Sequence, residues 1–260
     1  MLPRRRPTTL PEAEPARRVV TVDRGHLARY DRVCGFRLTD TLPATYPHVL
    51  AFPLALHLMS APDFPFPLAG LVHVVNRITV RRPIHAGTPL DLTVHAAGLR
   101  PHHRGRQFDI VATAVADGEE AWRGVSTYLR REGERERRDR GDRPARPVPS
   151  ARWTVPARVG TDYAAASGDH NPIHTSQLGA RLFGFPRPIA HGMWSKARCL
   201  AALEGRLPAQ YSVDVAFGPP IPLPATVGFA ATPAGEGWDF SVLSAGTDRV
   251  HLTGSVAAPH

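Results

Sequence analysis

Tyr163-Ala-Ala-Ala-Ser-Gly-Asp-His-Asn-Pro-Ile-His174 is the stretch on which the reading of this chain turns. Asp169 and His174 lie five positions apart, with Asn171-Pro172 between them. Pro172 fixes its own φ and pushes Asn171 towards extended conformations. Ser167-Gly168 reads as a helix stop ahead of the acid. The two ionisable side chains are therefore expected on a constrained loop rather than on one helix face. Such a loop can aim a carboxylate and an imidazole at a common point, which moving a proton onto or off water requires. Taken alone, Asp-x-Asn-Pro reads more readily as an Asx-capped turn followed by a surface histidine.

A second signal lies downstream. Arg187-Pro-Ile-Ala-His-Gly-Met193 opens an apolar helix predicted from about Gly192 to Leu203. Gly192 falls in its first turn, where backbone N–H groups have no intrahelical partner and can hold a developing oxyanion. Between the two signals, Ser176 to Phe183 reads as a short amphipathic helix with Gly184 at its end.

Ser167-Gly168-Asp169-His170-Asn171-Pro172-Ile173-His174, followed by Ala190-His191-Gly192-Met193, closely resembles the MaoC-like (R)-specific enoyl-thioester hydratases and 3-hydroxyacyl-thioester dehydratases, over roughly 163–227. The resemblance implies an α+β double hot-dog fold: two units, each a long helix wrapped by an antiparallel sheet. It implies a hydro-lyase interconverting trans-2-enoyl and (R)-3-hydroxyacyl thioesters. Asp169 and His174 would then share the transferred water and its proton. The Gly192 N–H would donate to the thioester oxygen. Asn171 and Ser167 would position the loop, and His191 and Met193 would position or bind substrate. No metal or redox cofactor is implied, and the acyl group would arrive on coenzyme A or an acyl carrier protein. The alternatives are a hot-dog acyl-thioesterase, in which water attacks the carbonyl carbon, and a non-catalytic acyl-binding subunit of a dehydratase complex. The presence of both Asp169 and His174 argues against the subunit.

Composition is that of a globular protein: 260 residues, 42% hydrophobic and 21% charged. The net charge is +9, carried by arginines apart from the lone Lys196. The arginines are dispersed, with no helix-turn-helix or zinc-finger pattern, so nucleic acid is not the expected partner. An anionic cofactor or carrier protein fits the charge. Cys34 and Cys199 form neither a disulfide framework nor a metal spacing, which suits a reducing cytoplasm. Arg4-Arg5-Arg6 has no apolar run after it, and no membrane-spanning stretch is present. His102-His103, His85 and His95 lack a carboxylate or thiol to complete a ligand set and read as turn and surface residues.

In chain order, residues 1–18 read as a disordered arm and 19–130 as a first unit lacking the catalytic motif. Residues 131–150, rich in charge and Pro, read as a solvated linker, and 151–260 as the catalytic unit. In the first unit, a helix near His26 to Arg32 ends at Gly35. An apolar helix follows from Pro47 to Ser60, expected buried all round and kinked at Pro53. Four strands come next, at Val72–Val80, Leu90–Ala97, Phe108–Ala116 and Ala121–Leu129. The second unit repeats this weakly. Pro83-Ile84 matches Pro220-Ile221, 137 positions on, and His48 matches His191, 143 positions on. The first unit has no counterpart of 167–174, so all catalysis is placed in the second. The first is expected to open space for a long acyl chain. Two fused units leave a monomer or a homodimer open.

Overall fold

The computed structural model describes residues 6–132 and 147–259. In chain order the elements are β1 (Ala16–Val20), α1 (Arg24–Cys34), α2 (Tyr46–Ser60), β2 (Leu71–Val80), β3 (Leu90–His102), β4 (Gly105–Ala116) and β5 (Glu119–Arg131). There follow β6 (Ala151–Val155), α3 (Val159–Ser167), α4 (Pro172–Thr175), α5 (Gln177–Leu182), α6 (Gly192–Ala202), β7 (Tyr211–Phe217), β8 (Ala225–Ala234), β9 (Gly237–Ser244) and β10 (Val250–Ala257). The second set follows the first in kind, strand, helix, main helix and four strands, with the short α4 and α5 inserted before the main helix. Between Arg131 and Ala151, residues 133–146 of the expected linker lie outside the described residues.

Local chemistry explains the helix limits. The Asp23 side chain accepts from the His26 N–H and starts α1, and Gly35, at φ 84°, ends it. Pro47 sits in the first turn of α2, where a missing N–H leaves nothing unpaired. The helix continues through Pro53 and is not buried all round. Val49, Ala51, Ala55, Leu58 and Met59 face the core, whereas Pro53, Leu56 and His57 are exposed.

The arm departs from expectation. Residues 1–5 lie outside the described part, but Ala16–Val20 pairs antiparallel with β3, and the Val94 N–H donates to the Pro15 carbonyl. Arg6 Nη1 donates to the Phe64 and Phe66 carbonyls, at 2.9 and 3.1 Å. The Pro- and Arg-rich composition hid a segment whose backbone has a sheet edge to pair with.

All ten strands join one antiparallel sheet in the order β1-β3-β4-β5-β2-β7-β10-β9-β8-β6. Burial alternates along β3 at Leu90, Leu92 and Val94, so one face is apolar and covers α2. The units meet at the β2–β7 ladder, where Arg77 stands opposite Asp214 and forms an ion pair with it. These two residues are 137 positions apart, the spacing of Pro83 and Pro220.

Above this seam lies the lone lysine. Lys196, on α6, is fully buried. Its Nζ donates to the Asn76 carbonyl (3.0 Å), Asn76 Oδ1 (2.6 Å) and the Val213 carbonyl (3.0 Å). The ammonium thus fastens the second unit's main helix to both strands of the seam. Lys196→Met keeps the apolar stem but leaves the carbonyls and the amide oxygen without that donor. A loss of about 1–3 kcal/mol is expected, read as a lower thermal midpoint. An unchanged midpoint would show that the network adds nothing. Among the described residues no helix is long and apolar enough to cross a membrane.

Candidate active site

The acid and the base are held by three short helices in succession. Gly168, at φ 75°, ends α3, and the chain turns at once into the acid loop. The Asp169 N–H donates to Ser167 Oγ (3.2 Å), and the Asn171 N–H donates to Asp169 Oδ1 (3.2 Å). Asn171 Oδ1 accepts from the Ile173 N–H (3.3 Å) and caps α4, with Pro172 in its first turn. His174 therefore stands on a single helical turn, not on a loop as the sequence suggested. The Pro that straightens Asn171 also starts the turn that carries His174. Ser167 and Asn171 thus bond the backbone and carboxylate of the acid loop.

α3 comes very close to that turn. A Cβ on Gly160 would lie 2.0 Å from the His174 carbonyl oxygen, so only glycine permits this approach. On the other side, Ser176 Oγ accepts from the Gly179 N–H and caps α5, the predicted short helix between the two signals.

The imidazole tautomers follow from their partners. His174 Nδ1–H donates to the Ile189 carbonyl (2.8 Å), since a carbonyl can only accept. The Nε2 of neutral His174 then carries the lone pair. His191 Nε2–H donates to the Asp169 carbonyl (3.0 Å) and lies 3.9 Å from Asp169 Oδ2. The two imidazoles stack, with centroids 3.7 Å apart. Burial holds His174 below the usual histidine value of 6.5, against the pull of Asp169. Burial, then the neighbouring His174, puts His191 well below it. The resting site thus holds neutral imidazoles beside a carboxylate. Ligating atoms of Asp169, His174 and His191 lie within 4.8 Å of one another, so these three would also be the residues to hold a cation.

Gly192 is the first residue of α6, after His191 at the N-cap. A Cβ there would lie 3.1, 3.2 and 3.3 Å from carbons of the Phe217 ring, so the helix start presents bare backbone against an aromatic wall. Met193 is buried in the core cluster.

Several neighbours of the site leave no local mark in the sequence. Tyr163 is buried with its ring 4.9 Å from that of His191. Phe217, on β7, packs against His73 of β2, with centroids 5.0 Å apart. His73 stacks on Tyr128 of β5 at 4.8 Å and faces His48 of α2 at 6.4 Å. Burial lowers His48 to about 4 and His73 to about 3, so both are neutral. In an isolated sequence such residues look like ordinary core aromatics, because sheet pairing across more than fifty positions brings them together.

Comparison with known proteins matches residues 141–241 to the MaoC like domain. The chain is 38% identical over 241 residues to 3-hydroxyacyl-thioester dehydratase X of Mycobacterium tuberculosis, covering 90% of this chain and 85% of that protein. A crystal structure of HtdX from the same organism superposes with a TM-score of 0.85 at 35% identity, covering 95% of this chain and 100% of that one. A MaoC-like dehydratase from Phytophthora capsici superposes with a TM-score of 0.78 at 18% identity, covering 95% of each chain, a likeness of fold.

Proposed function

This chain belongs to the MaoC-like dehydratase family, and from that membership we propose that it interconverts trans-2-enoyl and (R)-3-hydroxyacyl thioesters, with Asp169 and His174 handling the transferred water. The observation that carries the reading is the Asp169 carboxylate within 4.8 Å of a neutral His174 whose Nδ1–H is held by the Ile189 carbonyl, with Gly192 at the first position of α6. Dehydration must take a proton from C2 and help hydroxide leave C3. A neutral imidazole can take and return a proton, and the carboxylate can hold the water by accepting its hydrogen bonds. As C2 loses its proton, negative charge grows on the thioester oxygen. The Gly192 N–H, at the positive end of the α6 dipole, is the group to meet it.

Adding water across a double bond changes no net oxidation state, so a redox cofactor has no task in this reaction. The carrier is coenzyme A or the phosphopantetheine arm of a carrier protein, and the charge of +9 suits either anion. Two free, buried thiols, Cys34 and Cys199, fit a reducing cytoplasm. The ten-stranded sheet pairs the two units within one chain, and a monomer or a homodimer fits it.

Incubation with crotonyl-CoA tests the reading. A hydratase removes the enoyl absorbance and releases no free thiol. Thiol release with the enoyl group intact would make the protein a thioesterase and overturn the proposal.

A further inference from the structure

α5 hides its small residues and shows its large ones. Gly179 and Ala180 are buried, whereas Leu178 and Leu182 are 69% and 77% exposed. A Cβ on Gly179 would lie 2.5 Å from Pro172 Cβ, so the glycine side is where α5 packs on α4. At helical spacing Leu178, Arg181 and Leu182 share the opposite face. Phe183, 48% exposed, follows at the C-cap. Large apolar side chains grouped on a surface mark an interaction site, whereas single ones need no explanation.

This face adjoins the site. Gln177 Nε2 donates to the Pro186 carbonyl (2.9 Å), which sets Arg187 beside the start of α5. Two residues further, the Ile189 N–H donates to the Ile173 carbonyl (3.1 Å), and the Ile189 carbonyl holds His174 Nδ1–H (2.8 Å). Leu178 is four positions past His174, so their Cα atoms are no more than about 14 Å apart. Arg181 and Arg187 are exposed and pair with no described carboxylate. From His170 to Leu203 the chain has no acidic residue, so nothing along this segment offsets their charge.

We propose that the outer face of α5, with Leu178, Arg181, Leu182 and Phe183 and with Arg187 beside it, is a docking surface for an acidic carrier protein that delivers the acyl group on its phosphopantetheine arm. The proposal rests on the reading of the site as one for acyl thioesters. The arginines alone would serve the phosphates of coenzyme A equally well. The leucines and Phe183 decide for a protein, because a nucleotide has no aliphatic surface to bury against them. A second copy of this chain would bring arginine against arginine and a charge of +9 against +9. An acidic protein meets both demands, with carboxylates for the arginines and apolar side chains for the leucines.

The test compares hydration of crotonyl-CoA with hydration of the crotonyl thioester of a purified acidic acyl carrier protein, both by the full-length chain. Leu178→Ser with Leu182→Ser should raise KM for the carrier-protein thioester about 10-fold or more, as truncating interface anchors does. Arg181→Glu should do the same by setting like charges together. Both kinetic constants for crotonyl-CoA should stay within twofold of the parent. The thermal midpoint should not fall, since these side chains face water. An unchanged KM for the carrier-protein thioester overturns the proposal. So does an equal rise for both thioesters, which would give the face to the part they share, or a lower midpoint, which would give the leucines a partner within the chain. Sedimentation adds another arm: a parent dimer that the double serine variant splits would assign the face to a second copy. If the parent hydrates crotonyl-CoA but not the carrier-protein thioester, the docking surface falls and the hydratase reading stands. If it hydrates neither, the hydratase reading fails and takes the docking surface with it.

Discussion

Asp169→Asn and His174→Ala should each lower the hydration rate by at least roughly 10²-fold, the usual worth of positioned acid–base catalysis, while leaving the fold intact. Asn is nearly isosteric with Asp and can still accept at Oδ1 the N–H of Asn171 that orders the loop. What it loses is the charge facing the water. Ala at 174 removes the imidazole, and its backbone still closes α4. The double mutant should be little worse than either single, because both side chains act on one water and one proton. Two independent losses that multiply would mean that the residues do not work as a pair. The pH profile carries a further mark. Burial lowers His174, so the neutral form needed as base persists below the ordinary histidine value of 6.5. The acid limb of kcat/KM, which reports the free enzyme, should accordingly fall below that value, and a limb above it would contradict the assignment.

Gly192→Pro should cost roughly 10²–10³-fold in turnover, about 2.7–4 kcal/mol, by deleting one oxyanion donor. The donor is backbone, so no side-chain truncation reaches it, and Pro is the substitution that removes an N–H. Gly192 opens α6, a position where Pro is tolerated. The structure adds a complication that the sequence did not show. Any Cβ here comes to within 3.1 Å of the Phe217 ring, so Gly192→Ala will itself be impaired. The informative quantity is the difference between the two variants, since both carry the Cβ and only Pro lacks the N–H. Equal losses would mean that crowding against Phe217 explains everything. A folded Gly192→Pro with normal turnover would mean that the carbonyl is held elsewhere.

Local chemistry made much of this site legible. Ser167, Gly168, Asn171, Pro172 and Ser176 each act within a few residues of themselves, as caps or turn formers, and so betray their roles in sequence. The strands were legible for a related reason: alternation such as Leu90, Leu92 and Val94 is a property of one segment. The His174 helical turn was missed because Pro172 both extends the residue before it and starts a helix, and only the second effect reaches His174. Gly160 was invisible because its importance lies in a carbonyl fourteen positions away. Tyr128, His73 and Phe217 come from three strands in two units, and a sequence holds no local trace of such a meeting.

The seam has an evolutionary consequence. Arg77 and Asp214, and likewise Asn76 and Val213, are each 137 positions apart, the offset of the repeat, so each pair is related by the approximate twofold between the units. Lys196 Nζ bonds the carbonyls of both Asn76 and Val213 and so lies near that axis. Its counterpart in the first unit, at the helix offset of 143, is Pro53, which makes no rival claim. A dimer of two second units in this register would set Asp214 against Asp214. It would also send two ammonium groups to one pair of carbonyls, and the Asn76 amide that receives one of them would be a valine. Two first units would set Arg77 against Arg77 and have no lysine at all. Symmetry forbids in a homodimer what a fused chain allows. At this axis each half is therefore fitted to the other rather than to a copy of itself.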